Sequence, residues 1–576
     1  MSSLGSLYTG VSGLNVSQSA LNVTAHNLAN LDNKGFVRQQ AILTDSSYIR
    51  WGESHISPMQ KGLGADFASL KQVRDTFLDQ AYRQEVGRQA FYSSQYKAIE
   101  EIEGLFGELE GISFQKSMND LWGALQQLAK EPDNIVARSV LIQTSVTFIE
   151  RATNISKQLT DYQVNLNTQI RDQVERINDI GDQLKELNIK IKHYESTKLE
   201  QANDLRDQRN LLLDELATMA DIAYREDPSG IVSVILEGVL FVTEDTVFHM
   251  DTVRVDESTD MLKAVWTAHG DVDVFNLGRP SLSENNTDIG SLKGLLVARG
   301  SKQANYTDIP VREQFESESL FNMAVLDYNN NVEPSVVMTI QAQFDQLIHG
   351  IVTTINDILA PNKEVTLEDG SKIWILDEEK APIGMDPNKT VGEALFNRKS
   401  IERYTEAQEI IIEDGEGGYQ TIVARIYNSE DPRDNYSLFT IGEIEVNQNI
   451  MGNYSLLPLS SNSSTGDYDV ETARELVLSW QKAFATLSPN TLTTNNFNEY
   501  YNSFISEIAN RGEKLYVISN NQATMVASID NQRMQITGVS SDEELTNLIK
   551  YQHAYNAAAR YINVVSEMLE HLIMNL

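Results

Sequence analysis

Residues 4–28, LGSLYTGVSGLNVSQSALNVTAHNL, place apolar side chains alternately three and four positions apart. Residues 548–572, LIKYQHAYNAAARYINVVSEMLEHL, repeat this spacing at the other end of the chain. Such spacing is the seven-residue repeat of helices that wind around each other. Because a helix must bury its apolar stripe, the pattern predicts that each end covers the other. Surplus apolar surface is then expected to meet a neighbouring molecule.

Two predicted stripes form the candidate assembly interface. The N-terminal stripe consists of Leu4, Leu7, Val11, Leu14, Leu21 and Leu28. The C-terminal stripe consists of Leu548, Tyr551, Tyr555, Ala558, Ile562, Val565, Leu569 and Leu572. Ordinary amphipathic helices that cover their own core give the same spacing and are the alternative. Residues 1–31 are also rich in Ser, Thr, Asn and Gly, which are poor helix formers, so we expect this segment to fold only when packed.

Composition narrows the class of protein. The 576 residues exceed the size of a single core, so several domains are expected. The net charge of −36 argues against a nucleic-acid partner and favours solubility. The absence of cysteine excludes disulfides, thiolate nucleophiles and Cys-based zinc sites. We find no apolar run long enough to predict a membrane span, and the N-terminus does not resemble an ordinary cleaved secretory signal.

Motifs of catalysis and metal binding are not found in the sequence. The eight histidines are scattered, and no pair has the spacing of a zinc-binding HExxH helix. No phosphate-binding loop is present, and residues 10–13, GVSG, lack the spacing of a nucleophile elbow. The sequence therefore predicts a protein without enzymatic activity, metal or cofactor.

The order of patterns predicts an α+β multidomain protein in which a long helical rod formed from both termini carries inserted β-rich domains. Helical patterns cover about 75–106, 136–193 and 204–219, and the second is unusually long. Alternating apolar residues within 231–277 indicate strands. The predicted units are a terminal assembly domain (1–50 with 530–576), a long-helix core (51–220 with 290–360 and 470–529), a β-rich insertion (221–289) and a mixed β-rich insertion (361–469).

Residues 27–36, NLANLDNKGF, resemble the N-terminal signature of bacterial flagellar rod and hook proteins. The following VRQ, residues 37–39, is similar to the variant in the hook-associated protein 1 family, although Phe36 and Val37 stand where Tyr and Ser are more frequent. Further pieces that resemble this family lie at 74–75, 77–79, 207–209, 213–216, 290–296, 538–539, 542–544, 547–548, 551–552, 554–555 and 557–560.

The resemblance implies a structural, extracellular part of the flagellum. Members of this family form a ring of subunits that joins the hook protein to hook-associated protein 3 and then to the filament. They leave the cell unfolded through the flagellar export channel, without a cleaved signal peptide, after a cytoplasmic chaperone has held the C-terminal region. An axial protein of this kind would pack its terminal helices in the wall of a tube.

The signature adds four residues to the candidate interface: Asn30, Gly35, Phe36 and Arg38. Gly35 follows Asn33-Lys34 and is expected to adopt a positive φ, with Phe36 anchoring the turn. Arg38 either pairs with an acid across an interface or is a solvated surface residue. The rival interpretation is a surface adhesin or glycan-binding protein that works through residues 361–475, and an enzyme hidden in an insertion is a third.

Hydrogen exchange on the soluble monomer tests the prediction for the two ends. We expect rapid exchange in residues 1–31 and 548–576, because their apolar faces are incompletely covered in a single copy, and protection from about 75 to 219. Mass spectrometry of exchanged peptides measures both. Protection of both ends equal to that of the long-helix core would contradict the prediction.

Overall fold

The computed structural model describes residues 2–50, 60–107, 114–196, 201–413, 418–460 and 469–574. The side chains of residues 2–4, 49, 50, 60 and 61 lie outside this description, and they include the candidate Leu4.

Helices dominate the described chain. They are α1 (Ser2–Ala29), α2 (Thr76–Phe106), α3 (Phe114–Lys130), α4 (Ile135–Glu195), α5 (Asn203–Met219), α6 (Ser291–Arg299), α7 (Glu318–Asp327), α8 (Val336–Leu359), α9 (Gln448–Gly452), α10 (Val470–Ser479), α11 (Phe497–Thr537) and α12 (Ser541–Met574).

The strands form small antiparallel sheets. They are β1 (Gln39–Asp45), β2 (Tyr48–Arg50), β3 (Gln60–Gly62), β4 (Ala65–Gln72), β5 (Ile222–Glu226), β6 (Val232–Leu236), β7 (Val239–Val242), β8 (Met250–Arg254), β9 (Leu262–Trp266), β10 (Val272–Asp273), β11 (Asn362–Thr366), β12 (Lys372–Leu376), β13 (Phe396–Arg398), β14 (Gln408–Glu413), β15 (Tyr419–Ala424) and β16 (Ile444–Val446). Within the described ranges, two sheets have three strands, in the orders β5-β6-β7 and β10-β9-β8, and five are pairs: β1-β4, β2-β3, β11-β12, β13-β16 and β14-β15.

The predicted very long helix is confirmed as α4, which has 61 residues and spans roughly 90 Å. Asn134 caps its start by accepting the Val136 backbone N–H at 2.9 Å. Near this end Arg138 donates a hydrogen bond of 2.7 Å to the carbonyl of Leu457, which lies in the second inserted region. At the other end Glu195 pairs with Arg206 of α5. The helix therefore links the second inserted region to the part of the body that meets the chain termini.

Helices α2 and α11 pack on each other in the body, and aromatic rings fill the space between them and α8. Phe106 lies 5.2 Å from Phe504 and 5.3 Å from Phe344 between ring centroids. Edge-to-face contacts of this kind add to the burial of apolar area. Glycines let α6 approach α2, because a Cβ at Gly294 would lie 2.6 Å from the Phe91 carbonyl.

The first and last helices pack together in antiparallel orientation beyond the end of α11. Gly538 caps α11, and Ser541 begins α12 after a short connection, which we call the hinge. On the other side the chain leaves α1 through a turn at Gly35, whose φ of 86° confirms the predicted positive value. The predicted fold class, a long-helix body formed with both termini and carrying β-rich insertions, is confirmed.

Replacing Gly35 by Ala should destabilise the protein by about 1–2 kcal/mol, because a side chain in the left-handed region is strained. The new Cβ would also meet Leu211 at 2.5 Å. Chemical denaturation measures the change in the free energy of unfolding. Gly123→Ala on the exposed face of α3 is the matched control, since nothing lies within 4 Å of its added Cβ. We expect that control to gain about 0.5–1 kcal/mol, and equal effects at both positions would contradict the argument.

Candidate assembly interface

The buried face of α1 carries small and polar side chains. Going along the helix in steps of three and four, the residues are Gly10, Gly13, Ser17, Ala20, Thr24 and Asn27, of which all but the half-buried Gly13 are buried. We call this row the α1 seam. Small side chains let two helix backbones approach closely, and polar ones require hydrogen-bond partners once water is excluded.

The α1 seam faces α12 at close range. A Cβ built on Gly10 would lie 2.7 Å from Cγ1 of Ile562, and one built on Gly13 would lie 3.7 Å from the Cβ of Ala558. Gly10 therefore has no room for a side chain unless α12 moves. Gly10, which weakens α1 as an isolated helix, thus permits its close contact with α12.

The predicted leucine stripe of α1 lies one position away from the seam. Leu7, Leu14, Leu21 and Leu28 are half-buried at its border, and Val11 is 40% exposed. Leucines give the strongest periodic signal in the sequence, so the pattern predicted the leucine stripe as the buried face and did not identify the smaller residues of the α1 seam. Contact of the leucine stripe with other subunits stays a prediction.

The C-terminal stripe faces α1 along most of α12. Val565 is buried, Leu572 is exposed, and half-buried positions are Leu548, Tyr551, Tyr555, Ala558, Ile562 and Leu569. A second apolar row on α12 is exposed to solvent. It contains Leu545, Ile549, Tyr561, Val564 and Met568. Pairing with α1 thus leaves α12 with an uncovered apolar surface.

The signature residues build the turn after α1. Asn30 donates from its side chain to the carbonyl of His26 at 2.9 Å. The ring of Phe36 packs edge-on against the His26 ring, with centroids 5.4 Å apart. Gly35 lies against Leu211 of α5. These three residues fix the path of the chain from α1 to the body, while their contact with other subunits stays a prediction.

Arg38 finds its acids within its own chain, at the start of α12. Its Nε donates to Glu544 at 2.8 Å, and its Nη1 lies 2.9 Å from a carboxylate oxygen of Glu543. The Arg38 side chain is about one quarter exposed, so it is neither a free surface residue nor fully buried. Sequence reasoning left the identity of the acid open because Glu544 lies 506 positions further along the chain. Only the fold brings the start of α12 beside Arg38.

Asn27 is a key residue that the sequence interpretation did not place in the interface. Its side chain is 1% exposed and pairs with the backbone of Gln39 through two hydrogen bonds of 2.9 and 3.0 Å. It also donates to Glu544 at 3.3 Å. Its position as the first residue of the signature was the available signal.

A cluster of charges joins α11 to the body directly before the hinge. Arg533 pairs with Asp79 of α2 at 3.2 Å and with Asp214 of α5 at 2.5 Å. Arg74 and Arg83 neutralise the same two carboxylates from the other side. Asp79 and Asp214 belong to sequence pieces that resemble the family, and the structure gives their physical role.

Asp207 on α5 lies beneath the turn. One of its oxygens accepts the Val37 backbone N–H at 3.2 Å, and the other accepts Nε2 of Gln72 at 2.8 Å. Burial raises the pKa of Asp207 to about 7, although the hydrogen bonds and Arg74 act in the opposite direction. A carboxyl that titrates near neutrality therefore holds the turn to the body.

The described ranges of the chain contain no group of three or more His, Asp or Glu side chains arranged to hold a metal ion. Within the same ranges no helix is long and apolar enough to cross a membrane.

Comparison with known proteins gives matches along the whole chain. Residues 99–373 match the family model of the flagellar hook-associated protein FlgK helical domain. Residues 7–36 match that of the flagella basal body rod protein, and residues 530–576 match the flagellar basal body rod FlgEFG protein C-terminal model.

Curated relatives match over nearly their full lengths. The flagellar hook-associated protein 1 of Bacillus subtilis is 25% identical over 98% of this chain and 97% of its own length. The protein of that name from Escherichia coli is 22% identical over 100% of both chains. Among solved structures, the flagellar hook junction protein FlgK from Burkholderia pseudomallei shares the fold, with a TM-score of 0.51, 14% identity and coverage of 80% of this chain and 100% of its own.

Asp207 predicts a pH dependence of stability. Its pKa in the folded chain, about 7, exceeds the ordinary value near 4, so the folded state binds the proton more tightly. Its contribution is therefore fully present at low pH and is lost as the pH rises toward 7. Asp207→Asn should flatten the decline in the free energy of unfolding between pH 5 and 7.5, by up to roughly 1.4 kcal/mol per pH unit.

Urea denaturation at several pH values measures this slope. Asp161→Asn on the exposed side of α4 is the control and should leave the slope unchanged. An unchanged slope in Asp207→Asn would contradict the assignment.

Proposed function

The chain belongs to the family of flagellar hook-associated protein 1, and we propose that it joins the hook to the filament by packing its paired terminal helices against neighbouring axial subunits. It is a structural component of the bacterial flagellum. The proposal adds the surface through which this component assembles.

The uncovered apolar surface of the α1/α12 pair carries the proposal. Tyr8 is 65% exposed, Met568 64% and Leu572 55%, although α1 and α12 already cover each other. Contiguous apolar surface of this kind marks an interaction site in a soluble protein. The chain has a net charge of −36, but α1 contains no Asp or Glu, so its part of this surface carries no acidic side chain that would repel another copy.

The proposed partners follow from this surface and from the family. They are further copies of this chain in a ring, the hook protein on one side and hook-associated protein 3 on the other. We further propose that the chain is exported unfolded through the flagellar channel, without a cleaved signal, after a chaperone has bound its C-terminal region. The lack of cysteine supports this route because no disulfide has to be broken or formed.

We also propose that the chain acts without catalysis. The family is structural, and the cluster of Arg533, Asp79 and Asp214 before the hinge is explained by packing and charge neutralisation. The adhesin interpretation receives no support from the comparisons. The inserted strands are then spacers or outward-facing domains of an axial protein.

Charged substitutions on the exposed rows test the proposal. Met568→Lys or Tyr8→Asp should leave the unfolding free energy within about 0.5 kcal/mol, because both side chains are mostly exposed. In cells that carry only the variant, filaments should be lost and the protein should appear in the medium. Electron microscopy and immunoblotting of culture supernatants measure these effects.

Val423→Asp is the matched control, since this side chain of β15 is also exposed, at 62%, but lies in the second insertion. We expect normal filaments with that variant. Normal filaments with Met568→Lys and Tyr8→Asp, at unchanged protein level, would exclude the α1/α12 surface as the axial contact.

A further inference from the structure

A buried carboxylate lies at the start of an otherwise exposed helix. Among the described residues of α12, only Glu544 and Val565 are buried, and Glu544 is 2% exposed. Removing a carboxylate from water is unfavourable unless both oxygens find donors. Arg38 donates to Oε1 of Glu544 at 2.8 Å, and Asn27 donates to Oε2 at 3.3 Å.

These three side chains join four segments of the chain. Asn27 lies in the last turn of α1 and also pairs with the Gln39 backbone at the start of β1. The backbone N–H of Arg38 donates to the carbonyl of Thr537 at the end of α11, at 2.9 Å. Glu544 lies in the first turn of α12. The ends of the antiparallel pair therefore meet at one polar hub, which we call the register hub.

The α1 seam itself distinguishes poorly between alternative alignments of the helices. Its residues are small or polar, and they repeat with the same spacing, so a shift of one turn presents α12 with a similar surface. Apolar attraction is not directional, whereas a buried polar group must meet its own partner. In coiled coils a single buried polar residue specifies register in this way, at some loss of stability.

We propose that Glu544, held by Asn27 and Arg38, sets the axial register of α12 against α1. These are positioning residues: they act by aligning the two helices, and so determine which exposed apolar rows lie side by side. The contacts along the pair agree with one fixed alignment, since residues 10 and 13 meet 562 and 558 while residue 27 meets 544. The inference concerns the single chain and goes beyond the proposed function, so its test needs no flagellum.

Disulfide trapping reads the register directly because the chain has no cysteine. The Cβ positions of residues 13 and 558 are 3.7 Å apart, within the range of a disulfide. Gly13→Cys with Ala558→Cys therefore reports the register of the structure. Gly13→Cys combined with Ala554→Cys or with Ile562→Cys reports a slip of one turn, about 5–6 Å, in either direction.

In the purified full-length parent, the in-register pair should oxidise and the two slipped pairs should not. Adding Glu544→Ala should lower the ratio of in-register to slipped disulfide at least tenfold. Arg38→Ala should lower it in the same direction, because Glu544 then lacks its main donor. Glu544→Gln, which can still accept from Arg38, should restore part of the ratio.

Glu543→Ala is the matched control, since its side chain is 62% exposed and pairs with the same Arg38. The ratio should stay at the parent value in this variant. Circular dichroism on each variant shows whether the protein is still folded, which distinguishes a register slip from unfolding. If Glu544→Ala does not fold, the Arg38→Ala variant tests the proposal in its place. A parent-like ratio in a folded Glu544→Ala or Arg38→Ala variant would overturn the proposal and assign the register to the α1 seam.

Discussion

The close antiparallel contact between α1 and α12 is the constraint on which the rest of the molecule depends. It is possible because Gly10 leaves the side chain of Ile562 room against the α1 backbone. On the α1 side the contact is made mainly by small and polar residues, and the leucines of α1 are only half-buried. Larger apolar side chains such as Tyr8 and Met568 therefore remain exposed on the helix pair.

Charged side chains attach the α1/α12 pair to the body. Arg533, Asp79 and Asp214 link α11 to α2 and α5 just before the hinge, while Asp207 holds the turn that follows α1. Desolvation offsets much of the attraction within buried ionic pairs, but removing one member leaves its partner buried without a counter-charge. The cluster lies where the terminal pair leaves the body.

Two properties of the chain oppose association of its copies: its acidic excess and the placement of its apolar rows. The acidic excess of the whole chain makes copies repel each other, and the apolar rows lie on two helices that are adjacent only after folding. Helix α4 runs roughly 90 Å from the end near the chain termini, where strands of the first insertion also pack, toward the second insertion. The terminal helix pair and the second insertion thus lie near opposite ends of one helix.

The sequence predicted the long helices and the resemblance to a flagellar family, because seven-residue spacing, proline-free length and short signatures are local properties of a chain. It predicted α4 and the positive φ of Gly35 for the same reason. Which face of α1 is buried was decided by tertiary structure, since apolar periodicity marks the leucines and cannot show that α12 comes closest at the glycines.

The partners of Arg38 and the burial of Asn27 and Glu544 were likewise settled only by the fold, because they unite residues more than 500 positions apart. No local pattern carries that information. Hydrogen bonds between residues so far apart in the sequence form only when folding has brought the two ends of the chain together.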